Sequence, residues 1–489
     1  MRETARRLRD RFGELGYTVD EVLARIGKAG QADLGRNSTV AADRALAGAD
    51  DELATLIRIW LLQQPVAADA VCRALPQSWE SLCEQEILGM SGDRVRALVD
   101  IRPYASDDDG ATGYVVSDLV NGLDSIAGPQ AGEYVLGVSS ASTSLAQLTM
   151  RDPVRSALDL GAGGGVQSLH LARHAERVVA TDLNPRANRL AEWTFALSGV
   201  EVEQRLGSLF EPVAGERFDL IVSNPPYVMS PPDGERLVYR EGSMVADGLV
   251  EAIVRGSVDH LEVGGSLQVL GNWAIIDPDR WADRVAGWIP GGCDALVIER
   301  ERLDPYEYVE IWLADAGLLG RPEYLPRYRE WLDYFDRLGI ESVGMGWLQL
   351  TRSETTDPQL RIESWPHAVQ QPVGAALGQF REAAVNARLT DAEVLATNWR
   401  LADGIDQETI GTPGAADPRH VVLRSALGLR RAVEVDTALG GVLGASDGEL
   451  PLGVIINAVA GLLEVDADEL RDEVLPRIRE LLITGMLVR

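Results

Sequence analysis

Two short segments hold the residues best suited to chemistry. Residues 157–174, ALDLGAGGGVQSLHLARH, run an apolar strand through Asp159 into a turn containing Gly161, Gly163, Gly164 and Gly165. Glycine lets the backbone take positive φ and approach a ligand closely. Several nucleotide-binding folds use such a turn, so the next strand discriminates. It reads VVATDLNP and ends on Asp182, about 20 residues on, where a carboxylate can accept both hydroxyls of a ribose. The second segment, residues 219–227, is DLIVSNPPY. Two prolines cannot continue a central strand, so the chain must turn out at the carboxyl edge of the sheet. Ligands of open α/β sheets bind at that edge. The Asn224 amide, the Pro225 carbonyl and the Tyr227 ring would then face one crevice. Each segment alone also fits a plain structural turn. Their succession in this order points to a ligand site.

Taken together, the segments resemble the class I S-adenosylmethionine-dependent methyltransferases, in the branch that carries an Asn-Pro-Pro-Tyr motif. That branch includes small-domain ribosomal RNA guanine-N2, adenine N6 and release-factor glutamine N5 methyltransferases. The resemblance covers residues 134–275. It implies S-adenosylmethionine as cofactor and an α/β fold with a seven-stranded Rossmann-like sheet. Asp159, Gly161, Ala162, Gly163 and Gly165 would hold the methionine part of the cofactor, and Asp182, Leu183 and Asn184 the ribose. Ser208 and Leu209, in RLGSLFEP, stand where the family meets the adenine, with Ser208 in place of the usual aspartate. Thr143, in VSSASTSL, matches one threonine of a segment found in the glutamine methyltransferases, and YREGSMVADGLVEAI resembles their Asp-Gly-Leu segment. Asn224, Pro225, Pro226 and Tyr227 would form the catalytic turn. An NH2 on a base ring or carbonyl is planar, with a delocalised lone pair. Hydrogen bonds from its two N–H groups to the Asn224 oxygen and the Pro225 carbonyl would orient it towards the methyl donor. Tyr227 could stack on the flat group.

Three zones must position these residues. Residues 129–375 alternate strand and helix signals as a parallel α/β sheet does. The strand runs are VRSALDL, RVVATDL, VEVEQRL, FDLIVSN, GSLQVLGNW, ALVIERE and VGMGWLQLTR. Aromatic-rich helices over 306–335 separate the last two, their aromatics spaced as a packed face. Residues 1–128 read as helices followed by a hairpin made of RALVDIRPYA and TGYVVSDLV, the order of a winged-helix module. Residues 376–489 end in two amphipathic helices and suggest a second such unit. The central zone, cut free, is expected to keep cofactor binding but to lose a macromolecular substrate that the flanking zones present.

Composition limits the partners. The 489 residues carry a net charge of −29, which repels phosphate backbones and anionic lipid. Residues 1–130 hold 14 basic and 21 acidic residues, and 376–489 hold 11 and 18. Arg2, Arg6, Arg7, Arg9 and Arg11 form the best local candidate for touching RNA phosphate. Three scattered cysteines fit a reducing cytoplasm. The charged N-terminus lacks the apolar core of a signal peptide. No apolar run is long enough to span a membrane. His170 and His174, an i, i+4 pair without a third ligand motif, read as an ordinary helix face, so no metal is expected. The leading function is N-methylation of a planar NH2, with an RNA base of ribosomal or transfer RNA ahead of a protein glutamine. A small-molecule acceptor and a non-catalytic, cofactor-sensing binding module are the other readings. Nothing in the sequence fixes the oligomeric state.

Overall fold

A computed structural model describes residues 1–125, 132–232, 244–413 and 418–489. All seven expected runs form strands: β1 Val154–Leu160, β2 Ala175–Asp182, β3 Glu203–Leu206, β4 Phe218–Ser223, β5 Leu261–Ile275, β6 Cys293–Leu303 and β7 Ser342–Arg352. An eighth, β8 Leu360–Ser364, pairs in parallel with β6 and makes an eight-stranded sheet of order β8-β6-β7-β5-β4-β1-β2-β3. Its sequence, LRIES, has only partly buried and exposed residues, so no apolar run announced it. The inner strands read as continuous apolar runs because both faces are covered, as in Leu220–Val222 of β4.

Register sets the edge that matters. Leu160 of β1 pairs with Thr181 of β2 on one side and with Ser223 of β4 on the other. The next residues of the three strands are therefore Gly161, Asp182 and Asn224, and they emerge side by side. Asp182 in turn pairs with Leu206 of β3, so Gly207 and Ser208 follow at the same edge. Parallel pairing turns four distant sequence positions into one row.

Four helices bear on that row: α1 Ser140–Leu148, α2 Val166–Leu171, α3 Pro185–Ser198 and α4 Gly248–Ser257. The start and stop of α3 follow from local chemistry. The Asn184 side chain accepts from Arg186 N (2.9 Å), Pro185 occupies the first turn, and Gly199 ends the helix at φ +70°.

The division into three zones does not match the compact units. One unit comprises Met1–Ala146, Pro153–Trp288 and Glu301–Leu348; the other comprises Gln147–Asp152, Ile289–Arg300 and Gln349–Arg489. The expected boundary at 128/129 lies outside the described residues, and that at 375/376 falls inside the helix Gly374–Ala387. In the first unit the N-terminal region shares a hydrophobic core with α3. Phe12, Trp60, Ile101 and Val116 belong to one buried cluster with Leu190, Trp193 and Leu197 of α3.

The expected N-terminal hairpin is also redrawn. Arg94–Ala97 and Asp100–Ala105 are separate strands, not one run. Arg94–Ala97 pairs with Leu88–Ser91 and with Val66–Ala67 in a small sheet. Asp100–Ala105 pairs with Thr112–Ser117, and this second hairpin binds α3. Val116 N donates to Thr194 Oγ1 and Tyr114 N to Ser198 Oγ, each at 2.9 Å.

The second unit has its own core around Trp399, Leu439, Ile456, Val474 and Ile478. Its strands Asp447–Pro451, Asn398–Leu401 and Leu487–Val488 form a sheet beside the helices Thr437–Gly444, Leu452–Leu463 and Ala467–Ile483. No described helix is long and apolar enough to cross a membrane.

Deleting residues 1–128 strips the cover from α3 and exposes Trp193, which is 2% exposed in the intact chain. The truncated protein should lose its near-UV circular dichroism and its cooperative melt. Trp193→Ala in the full chain should cost about 3–5 kcal/mol, measured by denaturant unfolding.

Candidate functional site

The row at the carboxyl edge opens into a cavity of about 440 Å³. Its wall includes Asp159, Gly161, Ala162, Gly163, Asp182, Leu183, Asn184, Ser208, Leu209, Asn224, Pro225 and Pro226. Those are twelve of the residues expected from the sequence. Gly165 lies just behind the wall, where an added Cβ would meet the Phe195 ring at 2.5 Å. Thr143 is displaced from the expectation: it sits exposed on α1, while Ser139 and Ser142 face the cavity. One residue step along α1 turns the side chain by about 100°, so a threonine matched by type alone landed on the wrong face.

Gly161, Gly163 and Gly165 have φ of +77°, +54° and +83°. An L side chain rarely tolerates that region, so three glycines within five residues is a backbone requirement. Nothing lies within 4 Å of a Cβ built on Gly161 or Gly163. The turn is then locked to the next strand. Gly163 N donates to Asp182 Oδ2 and Asn184 N to Asp182 Oδ1, each at 2.8 Å. Burial pushes the Asp182 carboxyl above its usual range, against the pull of the Asn184 and Gly163 N–H groups.

Asp159 has a different setting. It is fully enclosed, accepts from Ser168 Oγ at 2.7 Å, and burial pushes its pKa up to about 7, opposed by that hydrogen bond. Asn224 emerges from β4 with its Oδ1 buried and without a hydrogen-bond partner among the described residues. Tyr227, expected to face the same crevice, is not in the cavity wall: it packs edge-on against Trp312 at 6.3 Å, and burial followed by the Asp315 charge raises its phenol pKa.

The aromatic helices after β6, α5 Pro305–Asp315 and α6 Tyr324–Leu338, turn out to hold the chain that follows the Asn-Pro-Pro-Tyr turn. Met229 N donates to Tyr308 Oη and Ala246 N to Tyr334 Oη, each at 3.0 Å. Asp247 accepts Ala274 N (2.7 Å) and a two-pronged contact from Arg284 (2.7 and 2.7 Å). Sequence periodicity assigned these tyrosines to a packed face, and they are indeed buried. Their hydroxyl roles carry no periodic signal. Of the segment YREGSMVADGLVEAI, residues 239–243 lie outside the described residues, and Gly248 opens α4.

The other candidates fall into structural roles. His170 is buried between Asp109 Oδ2 (2.8 Å) and Tyr104 Oη (2.6 Å), tying α2 to the Asp100–Ser117 hairpin. Among the described residues no group of three or more His, Cys, Asp or Glu could hold a metal. The arginines of the first helix face carboxylates: Arg2 meets Glu192 (3.9 Å), Arg6 and Arg7 share Glu3 (3.0 and 2.9 Å), Arg9 meets Asp10 (3.8 Å) and Arg11 meets Glu14 (2.9 Å). The expected basic patch is neutralised where it stands.

Residues 137–279 match the family described as methyltransferase small domain. Those residues, which hold β1–β5 and most of the cavity wall, form a class I S-adenosylmethionine-dependent methyltransferase domain of the small-domain type. Residues 14–98 match a separate family, described as a domain of unknown function. A curated relative, ribosomal RNA small subunit methyltransferase C of Escherichia coli, is 34% identical over 124 residues, 25% of this chain and 32% of the relative. The chain thus spans about one third of the length of the curated relatives it matches. Among solved structures, a T. thermophilus 16S rRNA methyltransferase is 19% identical, with a TM-score of 0.27, over 45% of this chain and 61% of that one. An rRNA methylase of Streptococcus thermophilus is 15% identical, with a TM-score of 0.24, over 43% of this chain and 93% of that one.

The methyltransferase domain carries its own pH signature. Because the Asp159 pKa is raised on folding, its stability contribution is present in full below about pH 4 and is lost as pH rises through about 7. Asp159→Asn removes that titration. In the ligand-free protein, the melting temperature of the wild type relative to Asp159→Asn should fall between pH 4 and pH 7 and level off above. A constant difference across that range would show that Asp159 is ionised throughout.

Proposed function

We propose that this protein is an S-adenosylmethionine-dependent N-methyltransferase that modifies the exocyclic NH2 of an RNA base, ribosomal RNA first. The observation that carries the reading is the buried Asn224 Oδ1, an acceptor with no partner among the described residues, beside the Pro225 carbonyl at the cavity mouth. An amide oxygen left unpaired in that way costs about 1–3 kcal/mol, which a substrate N–H would offset. The relationship to the ribosomal RNA methyltransferase of Escherichia coli, 34% identity over 124 residues, supports RNA over a protein glutamine.

The cavity fits the cofactor by size and by chemistry. About 440 Å³ is within the ordinary range for small-molecule sites, roughly 300–1,000 Å³. Asp182 would take the ribose hydroxyls on its remaining lone pairs, Asp159 to Gly165 would surround the methionine part, and Ser208 with Leu209 would border the adenine. Bound there, S-adenosylmethionine supplies an activated sulfonium methyl group. Asn224 and Pro225 accept the two N–H groups of the acceptor and so fix the plane of its nitrogen. Tyr227, packed against Trp312 outside the cavity wall, would at most border the base. The methylated nitrogen is acidic and sheds its proton to water, so orientation is the main demand on the protein.

The flanking regions are read as recognition elements in a cytoplasmic protein. Residues 52–97 follow the winged-helix order of helix, strand, two helices and hairpin, with strand order Val66–Ala67, Arg94–Ala97, Leu88–Ser91. Residues 437–488 repeat much of that order. With acidic surroundings, these modules would hold the substrate by shape and short-range contacts rather than by bulk charge.

The test is transfer of a tritiated methyl group into a cell extract, followed by nuclease or protease digestion. Label should leave with nuclease; label that leaves only with protease would move the assignment to a protein amide. Asn224→Ala should lower transfer a hundredfold or more, on the order of other lost transition-state contacts, with S-adenosylhomocysteine affinity retained. Asp182→Ala should weaken that affinity by about 1.5–3 kcal/mol in calorimetry. Near wild-type turnover in Asn224→Ala would make the turn structural.

A further inference from the structure

A buried amide in the same cavity has no role in the scheme above. Gln167 is the second residue of α2, directly after the glycine turn, and lines the cavity while only 5% exposed. Its Nε2 donates to the Ser142 carbonyl at 2.7 Å. A carbonyl can only accept, so this contact fixes which end of the amide is nitrogen and which is oxygen. The Oε1 that results is buried and has no hydrogen-bond partner among the described residues. A single tie to Ser142 would justify a donor alone. A glutamine there leaves an acceptor to be met from outside the protein.

We infer that Gln167 binds the cofactor by accepting a hydrogen bond from the α-ammonium of its methionine moiety. The inference rests on the proposed use of S-adenosylmethionine. Three groups of that molecule can donate: the ribose hydroxyls, the adenine amine and the α-ammonium. The ribose belongs at Asp182, the end of β2, and the adenine at Ser208 and Leu209, beyond β3. Gln167 stands on the opposite side, between the turn after β1 and the Ser139–Ser142 end of α1. Only the ammonium is directed there. It is also the one cation among the three donors, and a hydrogen bond to a charged donor is roughly twice as strong as a neutral one. Ser142 then acts as a positioning residue: its carbonyl holds the amide so that the oxygen, not the nitrogen, meets the ligand. An anchoring role alone would make Gln167 indifferent to the ligand's amino group.

The experiment is a two-by-two calorimetric comparison on the full chain. The proteins are wild type and Gln167→Met, a substitution of similar length without polar ends. The ligands are S-adenosylhomocysteine and its analogue with hydrogen in place of the α-ammonium. 5′-Methylthioadenosine, which lacks the amino-acid arm, is the control. Deamination should weaken wild-type binding about tenfold to a hundredfold. It should weaken Gln167→Met binding less than about threefold, while the control ligand binds both proteins alike. Equal deamination factors in the two proteins overturn the inference, and so does a matching loss for the control ligand. Gln167→Glu, which keeps an oxygen acceptor, should retain the full deamination factor, and Gln167→Leu, which lacks one, serves the same comparison if Gln167→Met fails to melt cooperatively. Failure of the wild type to bind S-adenosylhomocysteine at all would refute the cofactor reading itself, a result distinct from either pattern.

Discussion

The Asp182 carboxylate is the joint on which the site depends. Its two oxygens accept Gly163 N and Asn184 N, so one side chain fixes the glycine turn after β1 and the entry to α3 after β2. Without it, three positive-φ glycines in succession would form a loose loop, since glycine loses more conformational freedom on ordering than any other residue. With it, the turn has a defined shape before any ligand arrives. A site that is ordered in advance loses less entropy on binding. Both contacts come from backbone N–H groups, and they stabilise the ionised form against burial.

That joint needs α3 to be held still, and the N-terminal region does this. The Asp100–Ser117 hairpin reaches α3 through Thr194 and Ser198 and reaches α2 through the Tyr104–His170–Asp109 chain. Arg186, the second residue of α3, is paired with Asp118, whose Oδ2 also accepts Val135 N (2.8 Å). Val135 borders the cavity. A continuous set of packed and hydrogen-bonded groups thus runs from the first helix to the cavity wall. A region that reads as a detachable recognition module is, in physical terms, part of the scaffold of the methyltransferase domain.

The limits of sequence reading follow the range of each interaction. The seven strands and the glycine turn were legible because apolar runs and positive-φ glycines are local signals. The row of Gly161, Asp182 and Asn224 was legible because parallel strands bring their carboxyl ends to one edge. Thr143 failed because a residue type carries no helix face with it. Strand β8 failed because a strand without an apolar run makes no periodic pattern. The packing of the N-terminal region on α3 was not legible, because a hydrophobic helix face looks the same whether its cover is near or distant in sequence. Gln167 carries no signal of its own within the glycine motif, because its significance lies in one buried oxygen without a partner among the described residues.

Electrostatics then determines how a polyanion could be held. With a net charge of −29, the protein repels an RNA that comes within a Debye length, about 8 Å at physiological ionic strength, and is largely screened from it beyond that distance. The first helix offers little relief, because each of its arginines faces a carboxylate. For the RNA acceptor proposed above, short-range terms would therefore have to supply the affinity, and the chain after the Asn-Pro-Pro-Tyr turn is held in place by several of them. Tyr308 and Tyr334 fix the chain at Met229 and Ala246, Arg284 fixes Asp247, and Trp312 fixes the Tyr227 ring. Each contact removes freedom that a bound base would otherwise have to remove. Orientation held this firmly offsets weak attraction, and it favours a base already splayed from its stack over one inside a duplex.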